Sequence, residues 1–434
     1  MRQIFRTILA GGVAIGMLGS AAVGQDAADQ DQPDQEAPQQ TPAPPTAAAA
    51  LPPDGPRPTV ALSPGPWRYE TSAGTLDVKI IARQLDHPWA MAFLPDDSIL
   101  ITERPGRLRV IRNGRLDPVA IAGLPPINPT QIGGLYDIAL DPDFASNRRI
   151  YLSYVKPDEQ NHDQTTLAVM SAIYDGGMML RDVKDVFVAD AWYGARPWPQ
   201  RCCGQGPGYG SWGGRILFGP DGKLYIGVGD RNYGEMVQQT DNDFGKILRI
   251  NPDGSIPSDN PFVGRAGWNP QIWTLGHRNP LGLTLRPGTD EIWESEFGPR
   301  GGDELNIIEK GRNYGWITVT QGQHYNNQPA EGIRGVAGMT DPVIAFGPPS
   351  VNPGNPVWYY GTMFPQWRGD LFLPSFTEGL LRIRFDAAGQ AEVQEKLIED
   401  LGQRLRAVTM GKDGALYVIT DETRGVVLRI SAAR

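Results

Sequence analysis

Six times along the chain an apolar, β-branched run enters a turn rich in Pro, Gly and Asp and leaves through a second run of the same kind. The units are AMAFLPDDSILITE from Ala90, DIALDPDFASNRRIYLSYV from Asp137, RILFGPDGKLYIGVGD from Arg215, LGLTLRPGTDEIWESE from Leu281, MFPQWRGDLFLPS from Met363 and AVTMGKDGALYVITD from Ala407. Apolar residues alternating on both sides of turn chemistry predict a β-hairpin in each. Short third strands follow several of them: RLRVI, KILRI, LLRIRF and VVLRI. A hairpin with an outer strand is most of a propeller blade, and little of the chain has a helical period. The pattern predicts an all-β fold, a six-bladed β-propeller over residues 64–434, with long loops on the face that carries the site.

The N-terminus breaks the pattern. Arg2 and Arg6 precede a short apolar run and then small residues, with Ala22 and Gly24 placed for cleavage. Residues 1–24 therefore read as a secretory signal peptide, the apolar run being too short for a membrane span. Residues 25–63 are mostly Gln, Asp, Pro and Ala, a composition that buries too little surface to offset ordering entropy, and read as a disordered acidic tether. The formal net charge is −9, and Asp26, Asp29, Asp31, Asp34 and Glu36 all lie in that tether. No Lys/Arg-rich face is left to bind nucleic acid. The expectation is a periplasmic or secreted protein without a membrane span in its mature chain.

Candidate chemistry concentrates in residues 274–316, TLGHRNPLGLTLRPGTDEIWESEFGPRGGDELNIIEKGRNYGW. Arg278 is an always-charged planar fork for carboxylate or phosphate, and Asn279 beside it both donates and accepts. Gly298, Pro299, Asp303 and Glu304 offer carboxylates and outward carbonyls, the oxygen ligands that calcium takes. No Cys/His cluster accompanies them, which argues against zinc or copper. Two readings stand: a site for a cation and a flat polar ligand, or turns flanked by solvated acids.

Cys202 and Cys203 are the only cysteines and are adjacent. Neighbouring Cα atoms across a trans peptide lie about 3.8 Å apart, short of the roughly 4.4–6.8 Å of ordinary disulfides. A vicinal bridge would be strained and reducible. A rigid loop staple, a bridge beside a cofactor and two free thiols all remain as readings.

The blade turns ALDPDF and FGPDGKLYIGVGD, followed in order by GHRNP, GPRGGDE and NYGW, resemble the soluble PQQ-dependent glucose/sorbosone dehydrogenase family, which includes the aldose sugar dehydrogenases. The likeness runs from His87 to Ile430. It implies a propeller that holds pyrroloquinoline quinone (PQQ) and calcium and oxidises an aldose sugar or related alcohol by hydride transfer to the quinone. By the same resemblance Arg278, Asn279, Arg404, Arg406 and Gln131 would face the cofactor. Gly298 and Pro299 would ligate the catalytic calcium through their carbonyls. Glu304 and the Tyr314 carbonyl would ligate a second calcium, and Asp230 would orient the catalytic base.

The departures concern proton transfer. Four residues before Arg215 the family has its catalytic His, and this chain has Ser211. Serine is no unaided general base near neutral pH, whereas imidazole is. Phe297 replaces a polar residue, Thr377 stands where a Lys usually reaches the quinone, and Gln131 is one position out of register. The histidines are His87, His162, His277 and His324. His277 reads as a structural hydrogen bonder and His324 as a candidate substitute base. Asp230 is a further proton acceptor. Ser211, Asp230 and Arg278 are thus the candidate catalytic residues of a sugar dehydrogenase. The alternatives are a catalytically altered carbohydrate-binding or scaffold propeller, and a calcium-dependent lactonase-like hydrolase.

Overall fold

The computed structural model describes residues 60–433 apart from 162–163, 193, 195–209 and 326–331. The signal peptide, nearly all of the tether, Cys202, Cys203 and His162 lie outside the described residues.

Six antiparallel sheets make six blades of a β-propeller. The first four-stranded blade holds β3 (Pro88–Phe93), β4 (Ile99–Glu103), β5 (Arg107–Arg112) and β6 (Arg115–Leu116). The second runs from β7 (Leu135–Leu140) through β8 (Arg149–Pro157) and β9 (Thr165–Ile173) to β10 (Arg181–Val188). The third has β11 (Gly213–Phe218), β12 (Leu224–Val228), β13 (Lys246–Ile250) and β14 (Ile272–Leu275), and the fourth β15 (Pro280–Leu285), β16 (Ile292–Glu296), β17 (Asp303–Ile307) and β18 (Ile344–Phe346). The fifth has β19 (Val357–Trp358), β20 (Leu371–Pro374), β21 (Leu380–Phe385) and β22 (Ala391–Leu397). The sixth combines β23 (Leu405–Met410), β24 (Leu416–Thr420) and β25 (Gly425–Ala432) with two strands from the other end of the chain, β1 (Trp67–Thr71) and β2 (Gly74–Leu85).

That mixed blade closes the ring. β2 pairs with β25 in the register Val78↔Ile430, so the two ends of the propeller are stitched by one ladder. The first strands of successive blades pack against each other all the way round, from β3 to β7, β11, β15, β19, β23 and back to β3. The described helices are short, Phe144–Asn147 and Gly234–Val237 with two single 3₁₀ turns.

The hairpin turns repeat one piece of chemistry. Ser98 N, Lys223 N and Ala415 N donate to the carboxylates of Asp96, Asp221 and Asp413 two residues back, at 3.1, 3.0 and 3.2 Å. Gly222 and Gly414 then supply the positive φ (69° and 76°) that completes the reversal. One predicted hairpin differs. Met363 to Arg368 form no strand: Pro365 opens a 3₁₀ turn, and the fully buried Trp367 packs on Phe364 and Phe372. Proline fixes φ and lacks a donor for a ladder, so the blade starts upstream at Val357.

Candidate functional site

In every hairpin the start of the first strand and the end of the second lie at the same end of the blade. Ser211 and Gly213 lead into or start β11, Asp230 follows β12, Arg278 and Asn279 precede β15, Glu296 to Pro299 close β16, and Arg404 and Arg406 flank the start of β23. The topology thus gathers residues spread over some two hundred positions onto one rim.

Asp230 is fully buried at its centre. Its Oδ2 accepts the indole N–H of Trp316 at 2.8 Å, and its Oδ1 accepts Asn232 N at 2.8 Å. Burial pushes its carboxyl above the ordinary value, opposed by the Arg278 guanidinium and by hydrogen bonds that include one from Ser211. The Ser211 hydroxyl also lies 3.4 Å from Asn232 Oδ1, and Ser211 O accepts Arg231 N at 3.0 Å. Arg231 and Asn232 both hold positive φ (53° and 62°) without being glycine, a strain that turns the chain sharply behind Asp230.

Arg278 and Asn279 are locked through the backbone. Glu296 Oε2 accepts Arg278 N at 2.5 Å and Asn279 N at 3.1 Å, while Asn279 Oδ1 accepts Gly213 N at 2.9 Å. Gly213 sits at φ 66°, and a Cβ there would meet Gly227 O at 2.5 Å, so β11 and β12 approach as only glycine allows. The Arg278 guanidinium spans the carbonyls of Phe297 (2.9 Å) and Gly298 (2.7 Å) and lies 5.6 Å from the Trp316 ring centroid. Pro299 O accepts Tyr325 OH at 2.9 Å. Both predicted calcium-ligating carbonyls therefore face the Arg278 and Tyr325 side chains, and each keeps a second lone pair for a cation. The residues present fit a calcium ion on that count.

Arg404 and Arg406 converge on Phe376, at 5.8 and 4.4 Å from its centroid, and Phe376 packs edge-on against Phe297 at 5.6 Å. Asp421 pairs with Arg406 and accepts His87 Nδ1 at 2.7 Å. Burial would raise Asp421, but Arg406, His87 and Arg104 outweigh it and hold the carboxyl well below its ordinary range. The buried Nε of Arg406 has no hydrogen-bond partner among the described residues, and that of Arg404 lies 3.4 Å from Glu422 Oε1, a long contact. An anionic ligand suits such donors, which is the fit a tricarboxylate quinone requires.

Gln131 is exposed in the loop before β7, and that loop is anchored by Tyr136 OH on Ile132 O (2.8 Å) and by Leu135 N on Arg104 O (3.0 Å). Thr377, between β20 and β21, is tied to the loop before β19, its hydroxyl donating to Ser350 O and Val351 O at 3.1 and 3.2 Å. Asp303 clamps the loop after β16, accepting Gly298 N, Ser350 Oγ, Val351 N and Asn352 N at 2.7–2.9 Å, and burial pushes it up to about 6. His324 is buried with its ring 5.4 Å from that of Trp316, and its Nδ1 has no hydrogen-bond partner among the described residues.

The predicted metal ligands Glu304 and Tyr314 have neighbours that were not foreseen, Glu294, Glu296 and His277. Glu294, Glu296, Glu304 and His277 are all buried beside the Arg278 backbone. Tyr314 stacks on His277 at 4.8 Å. Burial first, then the neighbouring carboxylates, pushes Glu294 and Glu304 well above the ordinary value. The alternation E-S-E at 294–296 puts Glu294 and Glu296 on one face of the strand and was the available signal.

With this geometry the chain belongs to the glucose/sorbosone dehydrogenase family, whose model matches residues 85–429. It is similar to the aldose sugar dehydrogenase YliI of Escherichia coli K12, 35% identical over 378 residues, covering 86% of this chain and 97% of that one. The quinoprotein glucose dehydrogenase B of Acinetobacter calcoaceticus is 29% identical over 347 residues, covering 73% of this chain and 66% of that protein. Among solved structures, the apo form of the soluble E. coli aldose sugar dehydrogenase matches with a TM-score of 0.74 over 82% of this chain and all of that one, at 35% identity. The PQQ-bound aldose sugar dehydrogenase of Streptomyces coelicolor matches with a TM-score of 0.62 at 27% identity, over 82% of this chain and 98% of that one. Relatives in this family are thus sugar dehydrogenases. Among the described residues no helix is long and apolar enough to cross a membrane.

Proposed function

We propose that this protein is an exported, PQQ- and calcium-dependent dehydrogenase that oxidises an aldose sugar or related alcohol, with Asp230 as the proton acceptor. The observation that carries the reading is the buried Asp230 carboxylate, joined to Ser211 and Trp316 and facing the Arg278 guanidinium. When bound, the quinone supplies the acceptor for the hydride from the sugar carbon, and calcium supplies Lewis-acid polarisation.

The protein's residues do the rest. Arg278, Asn279, Arg404 and Arg406 hold the cofactor's anionic edge, while the carbonyls of Gly298 and Pro299 hold the calcium ion. Asp230 takes the hydroxyl proton of the sugar, directly or through the Ser211 hydroxyl, which accepts one proton as it passes its own to Oδ of Asp230. Burial raises the carboxyl and so strengthens it as a base, and the Trp316 indole keeps it oriented. The test is to give the purified mature protein PQQ, calcium and a panel of sugars with an artificial electron acceptor. Sugar-dependent dye reduction is expected, and absence of quinone binding at micromolar concentration overturns the reading.

Ser211 favours a second reading, a carbohydrate-binding propeller that has lost its base. It predicts ligand-dependent stabilisation without turnover, and dye reduction that appears only in Ser211→His.

A further inference from the structure

Residues 320–325, between β17 and β18, are docked on the loop that follows β16. Arg300 and Gln323 exchange two backbone hydrogen bonds, at 3.2 and 3.0 Å, and Tyr325 OH donates to Pro299 O at 2.9 Å. Gly322 lies so close to Gly301 that a Cβ there would meet the Gly301 carbonyl oxygen at 2.2 Å. These contacts pin the chain on both sides of His324. With its backbone held, the imidazole has only its few staggered rotamers to choose from.

That imidazole packs on Trp316, with ring centroids 5.4 Å apart, and is 6% exposed. The Trp316 N–H is committed to Asp230 at 2.8 Å, and the Arg278 guanidinium lies 5.6 Å from the same ring. One indole thus joins Asp230, Arg278 and His324. The ring nitrogens of His87 and His277 are bonded to Asp421 and Thr274. His324 Nδ1, by contrast, is buried with no hydrogen-bond partner among the described residues. A buried polar atom in that state carries a desolvation penalty that a ligand can remove. Nδ1 donates or accepts according to tautomer, and a hydroxyl does both, so the two match in either tautomer.

We propose that His324 Nδ1 hydrogen-bonds a hydroxyl of the bound aldose other than the one whose proton passes to Asp230, and so selects among sugars. The ligand class rests on the dehydrogenase function proposed above. Asp230 and His324 then have separate tasks around one indole, the first moving a proton and the second reading the sugar. A site that fixes a polar atom against a substrate hydroxyl rejects an analogue that leaves that atom unpaired. The docked loop supplies the fixity, since Arg300, Pro299 and Gly301 hold His324 in place before any sugar enters.

The probe is 1,5-anhydro-D-glucitol, a pyranose without a C1 hydroxyl, so calorimetry in the presence of PQQ and calcium chloride reads its binding apart from turnover. His324→Phe keeps an aromatic ring on Trp316 and removes the nitrogen, and His324→Asn returns a polar atom near the place of Nδ1. Melting curves report the folding of both variants. His324→Phe is expected to bind the probe about two- to tenfold more weakly than the wild type, the share of one neutral hydrogen bond, and His324→Asn to recover most of that loss. In dye reduction with the aldose that the wild type oxidises best, His324→Phe should raise KM and leave kcat unchanged, as for a contact made equally in ground and transition states. Equal binding by the wild type and His324→Phe, or no binding by the wild type, overturns the proposal, while dye reduction by the wild type decides the dehydrogenase reading separately. A loss in kcat of about a hundredfold or more in His324→Phe at unchanged KM also overturns it, because that is the mark of a proton acceptor. Binding that depends on His324 with no aldose oxidised overturns the dehydrogenase reading alone.

Discussion

The indole of Trp316 donates a 2.8 Å hydrogen bond to Asp230, tying the loop after β17 to the end of β12. The loop of the fourth blade thereby orients a carboxylate of the third, and the Arg278 guanidinium lies 5.6 Å from the centroid of the same ring.

Asp230→Asn keeps a side chain of the same shape that still accepts from Trp316, but it removes the proton acceptor. The expected loss in kcat of sugar-dependent dye reduction is about 10²–10⁴-fold, the typical contribution of general acid–base catalysis. Quinone affinity, followed by fluorescence quenching, stays as in the wild type. An unchanged kcat would remove Asp230 from the proton path.

The contrast between what the sequence showed and what it concealed lies in the chemistry of each segment. Five hairpins were legible because Pro, Asp or Gly punctuates their turns, most plainly at Asp221–Gly222 and Asp413–Gly414. Met363 to Arg368 misled because Phe364 and Trp367 carry β-like composition, while Pro365 dictates a 3₁₀ turn. β17, with the sequence DELNI, passed for an acidic loop, since burial of Glu304 depends on a strand partner that no local pattern announces. Arg278, Asn279 and Asp230 were found as motifs, but the bond from Asp230 to Trp316 spans 86 positions and comes only from the closed ring.

Arg406 is buried against Asp421 and Phe376, with Nε lacking a hydrogen-bond partner among the described residues. Hydrogen bonds to charged groups contribute about 1.5–3 kcal/mol. Arg406→Gln should therefore weaken PQQ binding by about ten- to a hundredfold in equilibrium titration. Removing its guanidinium also frees Asp421 to rise, so the weakening grows as rising pH ionises that carboxyl and sets its charge against the ligand's anionic edge.

Stability should depend on pH with opposite signs in two windows. Asp243 is buried and pushed up to about 6, so the folded chain binds more protons than the unfolded one between its ordinary value and that point. Its contribution is complete below the ordinary range and is lost as pH rises through about 6. Lys246 is buried, donates to Val237 O and Phe244 O at 2.8 and 2.6 Å, and is pushed down to about 7. Between that point and its ordinary value the unfolded chain binds the extra proton, so stability rises with pH there. Urea unfolding at a series of pH values reads both slopes, and Lys246→Met should flatten the upper one by up to one proton.

Closure of the ring by β2 and β25 concentrates stability where the chain ends meet. Leu428 is fully buried in that ladder, opposite Ile80 on β2 and Val418 on β24. Leu428→Ala removes its packing and leaves a space that two paired strands cannot easily collapse, at a cost of about 2–5 kcal/mol. Val393, on the outermost strand of the fifth blade, is 38% exposed, and Val393→Ala should stay within about 0.5 kcal/mol of the wild type. Urea denaturation followed by tryptophan fluorescence gives both midpoints. If the two substitutions cost the same, the seam between β2 and β25 carries no special share of the fold's stability, and the ring is held equally at every blade.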